Sequence, residues 1–206
     1  MNVATEIDEA IGGYGTDEVY LLPDYEKNSL AVLPFNFTAN GEYNSILAGE
    51  ATNYATNYLS QKSNNYNLNV EGINNTVKKL IDANLALDAL NTAPAKKLIQ
   101  IANTEYIVKA NLIQTTAKSY REGDKSSLEG YFGKKIKENS QASSKNDGDY
   151  VDISLEVYNA RDLQLIYSKR LSEHRKPLSE KQLSTIMPHW KSALTYLLNG
   201  FLSTLQ

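Results

Sequence analysis

The chain has 206 residues, no cysteine and a formal net charge of -3 at pH 7. That length suits one domain able to bury roughly 70% of its surface without metal or disulfide staples. The lack of cysteine excludes disulfides, thiolate metal sites and a cysteine nucleophile. Charges of both signs are interspersed without a basic stripe, so nucleic acid is not expected as a partner.

Residues 1–28 hold Gly12, Gly13, Gly15 and Pro23 among scattered acids and read as an irregular leader, with a short strand over 19–22. Its first nine residues are acidic, unlike the basic-then-apolar pattern of a secretion signal. No run in the chain approaches the ~18 apolar residues that span a bilayer. The domain is expected over 29–206. Residues 30–37 (LAVLPFNF) form an apolar run ended by Asn40-Gly41 and predict a buried strand, with the donor-less Pro34 at a strand end or edge. Over 42–61, Leu47, Ala51, Tyr54, Tyr58 and Leu59 recur at helical spacing and predict the side that covers the sheet. A short strand is expected over 66–70, then a helix with Val77, Leu80 and Ile81 on one side. A third helix over 90–103 takes Thr92 as N-cap, Pro94 in its first turn and Leu98, Ile99 and Ala102 as its buried stripe, with Asn103 closing it. Residues 105–114 are rich in β-branched and aromatic types and predict a strand with Tyr106, Val108, Ala110 and Leu112 on its apolar face.

Between 117 and 148 the composition turns to Ser, Lys, Asn, Gly and Asp, a polar insert of a length that is uncommon inside a compact domain. In the hairpin that follows, Val151, Ile153, Leu155 and Val157 alternate with Asp152, Ser154, Glu156 and Tyr158. Residues 159–162 supply a polar turn, and Leu163, Leu165 and Tyr167 resume the alternation. A last helix opens at the capping-box spacing of 179–182 and carries Leu183, Ile186, Trp190, Leu194, Leu197 and Phe201, with a break or kink at Pro188. The order β-α-β-α-α-β, insert, β-β-α predicts an α/β fold, a single domain with a mixed sheet and helices packed on it.

Three segments, 30–37 (LAVLPFNF), 95–114 (AKKLIQIANTEYIVKANLIQ) and 149–171 (DYVDISLEVYNARDLQLIYSKRL), carry a resemblance that covers roughly residues 30–205. The chain resembles the superfamily of the curli-secretion lipoprotein, the outer-membrane lipoprotein activator of penicillin-binding proteins and the amino-terminal domain of the Tol translocation protein. An "AVLPF" strand leads in that family, a helix ends before a "gaDYvv"-type strand, and a "v-i-l-v-dardg-li" hairpin precedes the last helix. Thr104, Glu105, Tyr106, Ile107 and Val108 stand at the middle motif, and residues 159–166 at the hairpin motif. Asn103-Thr104 replaces the family's small glycine-alanine pair, and no lipid-bearing cysteine is present. The resemblance implies a bacterial envelope protein, periplasmic or facing the periplasm at the outer membrane, with a protein partner. It also leaves room for a lipid tether and for self-association.

Catalytic sets are not evident. His174 sits in a polar stretch and is expected to be exposed, while His189 between Pro188 and Trp190 is expected to cap or pack. No Gly-x-Ser-x-Gly, Ser-x-x-Lys or His-Glu-x-x-His pattern occurs. Residues 130–135 (GYFGKK) have glycines three apart and no hydroxyl after the lysine, so they do not make a phosphate loop, and Gly12-Gly13-Tyr14-Gly15 reads as a turn. Asp17-Glu18 and Asp147 with Asp149 lack calcium-loop spacing. Neither metal nor cofactor is expected. The fourteen tyrosines suit surfaces later covered by a partner or are compositional bias. Tyr131 and Phe132, aromatics isolated in the polar insert, are the candidate partner-binding residues, or they fold back on the sheet. The leading expectation is a non-enzymatic envelope protein that binds a partner to assemble or regulate a complex in secretion or cell-wall synthesis. A self-assembling structural component is the alternative. An enzyme built on carboxylates such as Glu105 and Asp152 is the third.

Overall fold

Pro34 shapes the start of the fold. The computed structural model describes residues 25–86, 90, 92–117, 148–176 and 187–206. The apolar run expected as one strand is two, β1 (Glu26–Val32) and β2 (Asn36–Ala39), broken at 33–35 around the proline. Both lie parallel to β5 (Thr104–Ala117), β1 against residues 104–108 and β2 against 111–114. The other side of β5 is taken by β6 (Gly148–Asn159), so β1 and β2 form a single interrupted strand along one side. At the break Leu33 N still donates to Val108 O, at 3.0 Å. Phe35 N has no strand acceptor and donates instead to Thr52 Oγ1 at 2.9 Å, while the Thr52 hydroxyl donates to Ala48 O at 2.7 Å. Thr52 is buried, so Thr52→Val leaves the Phe35 N–H without an acceptor. That substitution is expected to cost about 1–3 kcal/mol in chemical denaturation, whereas Thr52→Ser, which keeps the hydroxyl, costs less.

The chain then folds back through Asn40 (φ 52) and Gly41 (φ 90), the Asn-Gly pair that a tight hairpin turn requires, into β3 (Glu42–Tyr43). Helix α1 (Ser45–Lys62) starts at Asn44, whose side chain accepts from Leu47 N at 3.0 Å. Its buried stripe is rotated from the expected one: Ala48, Ala51, Thr52, Ala55, Thr56 and Leu59 face inward, and Leu47, Tyr54 and Tyr58 are only half-buried. Small residues let α1 sit close to the sheet, and the tyrosines fill its flank toward the last helix. Strand β4 (Asn69–Val70) adds parallel to β1. Helices α2 (Ile73–Asp82) and α3 (Ala95–Ala102) follow. Leu80 is buried as expected, but Ile81 is exposed, because α2 turns Thr76 and Leu80 toward the core. Pro94, not Thr92, occupies the N-cap position of α3, and Leu98, Ile99 and Ala102 are its buried stripe. Asn103 ends α3 in the left-handed conformation, φ 55, which explains how asparagine stands where the resembled family has glycine.

Strands β5, β6 (Gly148–Asn159) and β7 (Gln164–Arg175) form a long antiparallel ribbon with continuous pairing from Tyr106↔Asn159 to Ala117↔Gly148. Both strands beside the insert run further into it than the alternation predicts. At the hairpin turn Arg161 N donates to Asn159 Oδ1 at 2.7 Å and Gln164 N to Asp162 Oδ1 at 3.2 Å. Leu163, expected to resume the strand, is instead a turn residue at φ 56. Helix α4 (His189–Leu202) begins directly after Pro188, which occupies the N-cap position. The expected capping box at 179–182, with Leu183 and Ile186, lies outside the described residues, as does the strand at 19–22.

The result is a mixed α/β fold with, among the described residues, one seven-stranded sheet. Against one face α1 and α4 enclose the larger core, with Phe37, Val108, Leu112, Ile153, Leu155, Trp190 and Phe201 at its centre. On the other face α2 and α3 cover only one end, over Ala31, Leu33, Ile107 and Ala160.

Candidate partner-binding face

Because α2 and α3 stop at one end, the rest of that face of the ribbon is bare of helices among the described residues. Period-two alternation decides its chemistry. Val108, Ala110 and Leu112 point into the α1–α4 core, so Lys109, Asn111, Ile113 and Thr115 of β5 take the opposite face. Register places Glu156, Ser154, Asp152 and Tyr150 of β6 beside them in that order, and Ser168, Arg170, Ser172 and His174 of β7 beside those. The surface is therefore largely polar, with Ile113 as the large aliphatic group among these positions and Leu165, opposite Tyr158, at the helix-covered end.

Its side chains are held by one another. Asn36 Nδ2 donates to Asn111 Oδ1 at 2.7 Å across the β2–β5 pair. Asn36, Lys109, Asn111, Ser154 and Glu156 border a shallow cleft of ≈ 290 Å³. Arg170 clasps Asp152 bidentately, its Nε 2.8 Å from Oδ1 and an Nη on Oδ2. At the far end Tyr150 stacks on His174, ring centroids 4.4 Å apart, and Thr116 Oγ1 donates to Asp149 Oδ1 at 2.8 Å. Near the helices the Tyr158 hydroxyl donates to Glu156 Oε2 at 2.9 Å, and burial, with that carboxylate beside it, pushes its pKa up to about 12. Tyr158 thus stays a neutral donor across the neutral range.

The Arg170 hydrogen bond, with a further one from Ser172, holds the Asp152 carboxyl below its usual range against a smaller opposing effect of burial. A carboxylate whose pKa is depressed in the folded state contributes stability above its unfolded pKa of ~3.9 and loses it as pH falls through the folded value. Asp152→Asn is therefore expected to be less stable than the parent at pH 6. The two should converge in denaturation curves as pH falls below ~4.

Of the residues named from sequence, Tyr131 and Phe132, residues 130–135, Asp17-Glu18 and Asp147 lie outside the described residues. His174 is exposed as expected, but on the end of β7 and not in a loop. His189 is buried at the start of α4, with Nε2 3.2 Å from Glu173 Oε2, the packing role expected of it. Glu105 and Asp152 are not brought together: Glu105, second residue of β5, takes the Asn28 N–H, while Asp152 lies along the ribbon against Arg170. Several tyrosines serve the fold itself. Tyr54 and Tyr58 stack at 6.3 Å between centroids, Tyr54 bonds Thr195 across α1 and α4, and Tyr167 is buried with its hydroxyl donating to Leu197 O at 2.9 Å. What the sequence reading missed is the polar grid of β2, β5, β6 and β7. Alternation marks its β5 and β6 members, but only register shows that they meet Asn36 and Arg170.

Among the described residues no three His, Asp or Glu side chains stand together as a metal site, and no helix is long and apolar enough to cross a membrane. No family model and no curated protein matches the chain. Among solved structures it is similar to the lipoprotein GNA1162 from Neisseria meningitidis, at 11% identity over 84% of this chain and 98% of that one, with a TM-score of 0.49. It is also similar to the LpoB C-terminal domain from Salmonella enterica, at 10% identity over 71% and 82%, TM-score 0.41. The PelC dodecamer from Paraburkholderia phytofirmans aligns at 15% identity over 86% and 88%, TM-score 0.39. At such identities and TM-scores no activity or partner passes from them to this chain.

Proposed function

We propose that this chain is a non-enzymatic cell-envelope protein that binds a protein partner and so assembles or regulates a periplasmic or outer-membrane complex in secretion or cell-wall synthesis. The observation that carries the reading is the way the ribbon ends. Ala117 and Gly148 are paired across β5 and β6, so the two residues that flank 118–147 are held side by side, where two residues would close a hairpin. Connections of this length on a rigid scaffold are where recognition is commonly placed. The polar face that runs up to the Ala117–Gly148 pair adds hydrogen-bonding groups already held in position. Within 118–147, Tyr131 and Phe132 are the proposed anchors, since aromatics dominate binding energy in protein interfaces.

Deleting 121–147 leaves 118–120 to close the hairpin, a common loop length, so the fold should survive. The test is affinity capture from detergent-solubilised envelopes of the source cells, using the tagged chain, the deletion and Tyr131→Ala/Phe132→Ala side by side. A partner held by the parent and lost by both variants supports the proposal. Equal capture by all three removes the insert from it. Recovery of the protein alone, with light scattering giving a mass many times 22.9 kDa, favours the self-assembling component instead.

A further inference from the structure

The outer side of β7 is a second surface, apart from the insert, and it stands whether or not the envelope reading does. Among the described residues β7 has β6 on one side and no strand on the other. Beyond Ile166, the extra residue at the register shift between Val157↔Tyr167 and Tyr158↔Leu165, its pairing with β6 is regular to Arg175. A regular open ladder recruits another strand unless its side chains forbid it, and exposed charge is the usual means. Here charge forbids most self-pairings and leaves one.

A strand that meets its own copy antiparallel does so about a two-fold axis, so every pair off the axis occurs twice. Backbone groups point outward at every second residue, so opposite residues must match in kind and the axis passes through a residue, not between two. With the axis at Lys169, Arg170 or Glu173, that residue faces its own copy, and like charges directly opposite are destabilising. With the axis at Ser172, Lys169 faces Arg175 twice. With the axis at Leu171, Lys169 faces Glu173 twice, Arg170 faces Ser172, and the leucine meets its own copy. An axis nearer either end pairs too little of the regular strand.

The side chains suit that register. Tyr167 is buried against α4, so Lys169, Leu171 and Glu173 share its face by alternation, and both lysine–glutamate pairs would flank the two leucines there. Among the described residues Lys169 has no carboxylate partner; its Nζ stands 5.7 Å from the Tyr167 ring centroid. The Glu173 side chain is 42% exposed and uses Oε2 on His189, which leaves Oε1 for a lysine. Arg170, set opposite a serine, keeps its bonds to Asp152, and His174 lies outside the 169–173 centre, stacked on Tyr150.

We propose that β7 is a self-association edge: two copies pair antiparallel through residues 169–173 about a two-fold axis at Leu171, joining their sheets and closing as a dimer. The chain lacks cysteine, so Leu171→Cys places a single thiol on the axis. Residues directly opposite stand about 4.5–5.5 Å apart, within disulfide reach. Mild oxidation of that variant should give a covalent dimer on a non-reducing gel, while Ser168→Cys, well off the axis, should not. Sedimentation of the full chain should show the mass rising with concentration from 22.9 kDa to twice that value and no further. Lys169→Glu sets glutamate opposite glutamate twice, and Glu173→Lys sets lysine opposite lysine twice, so each alone should weaken association about tenfold or more. Mixed one to one, the two variants regain both opposite-charge pairs and should associate as the parent does, which a misfolded variant cannot do. The proposal is overturned by the absence of a Leu171→Cys dimer, by equal cross-linking of Ser168→Cys, by growth beyond a dimer, or by a mixture that associates no better than its two components when each keeps the parent's circular dichroism.

Discussion

Phe37→Ala is expected to lower stability by about 3–5 kcal/mol, the range for removing a buried aromatic ring. Phe37 is fully buried on β2 and meets Trp190 edge to face, ring centroids 5.8 Å apart. It lies where the interrupted strand, α1 and α4 converge, so the space it leaves is bounded by three elements that cannot all move in. Trp190 is the sole tryptophan, and its emission therefore reports this junction directly. Denaturant curves followed at Trp190 should shift by the whole amount, with emission moving to longer wavelength even before unfolding as water reaches the indole. Ile46→Ala, at a position 74% exposed on α1, is the matched control and should change stability by less than about 0.5 kcal/mol. A loss below about 1 kcal/mol at Phe37 would contradict this account of the core.

The second large effect is a reversal of sign. Gly200 lies in α4, where alanine normally stabilises by about 1 kcal/mol relative to glycine. Here a Cβ would stand 2.4 Å from the Tyr167 hydroxyl oxygen, whereas the two nearest ring carbons, at 3.4 and 3.6 Å, are at ordinary contact distance. Gly200→Ala should therefore destabilise by about 1–3 kcal/mol through overpacking. Tyr167→Phe removes the clashing oxygen together with its bond to Leu197 O and should cost about 1 kcal/mol. In the Tyr167→Phe background Gly200→Ala should become neutral or stabilising. The coupling across this double-mutant cycle is the measurement, and additive effects would show that the close approach is not what the glycine serves.

The parts of the fold legible in the sequence were those fixed by local pattern. Alternation from Val151 to Val157 and the stripe Leu98, Ile99 and Ala102 name their own buried faces, because each repeats at the period of its element. Asn103 was readable as a helix end because asparagine tolerates the left-handed region. The residues misjudged were those whose fate depends on distant partners. Nothing around Pro34 says that a threonine in α1 will satisfy the amide after it, so the run looked like one strand. Leu47, Tyr54 and Tyr58 seemed the natural core of α1, but close approach to the sheet favours Ala and Thr, and the tyrosines moved to the α4 side. Ile81 looked buried for want of knowing which way α2 faces. The polar face of the ribbon was half visible: Lys109 and Asn111 alternate against Val108 and Ala110, yet their neighbours Asn36 and Arg170 come from elements that no local pattern connects.

The interrupted strand also sets an order of assembly. Contacts of the β6–β7 hairpin close over a four-residue turn at 160–163, whereas Asn36 and Asn111 meet from 75 residues apart. Closing the longer loop carries the larger entropic cost, and non-local parallel pairing is slow. The hairpin should therefore form early in refolding, and β1 and β2 should dock on β5 late. Until they do, β5 has a bare edge over Tyr106 to Gln114, and dilute refolding should give the higher yield of native protein because that edge is open to other chains.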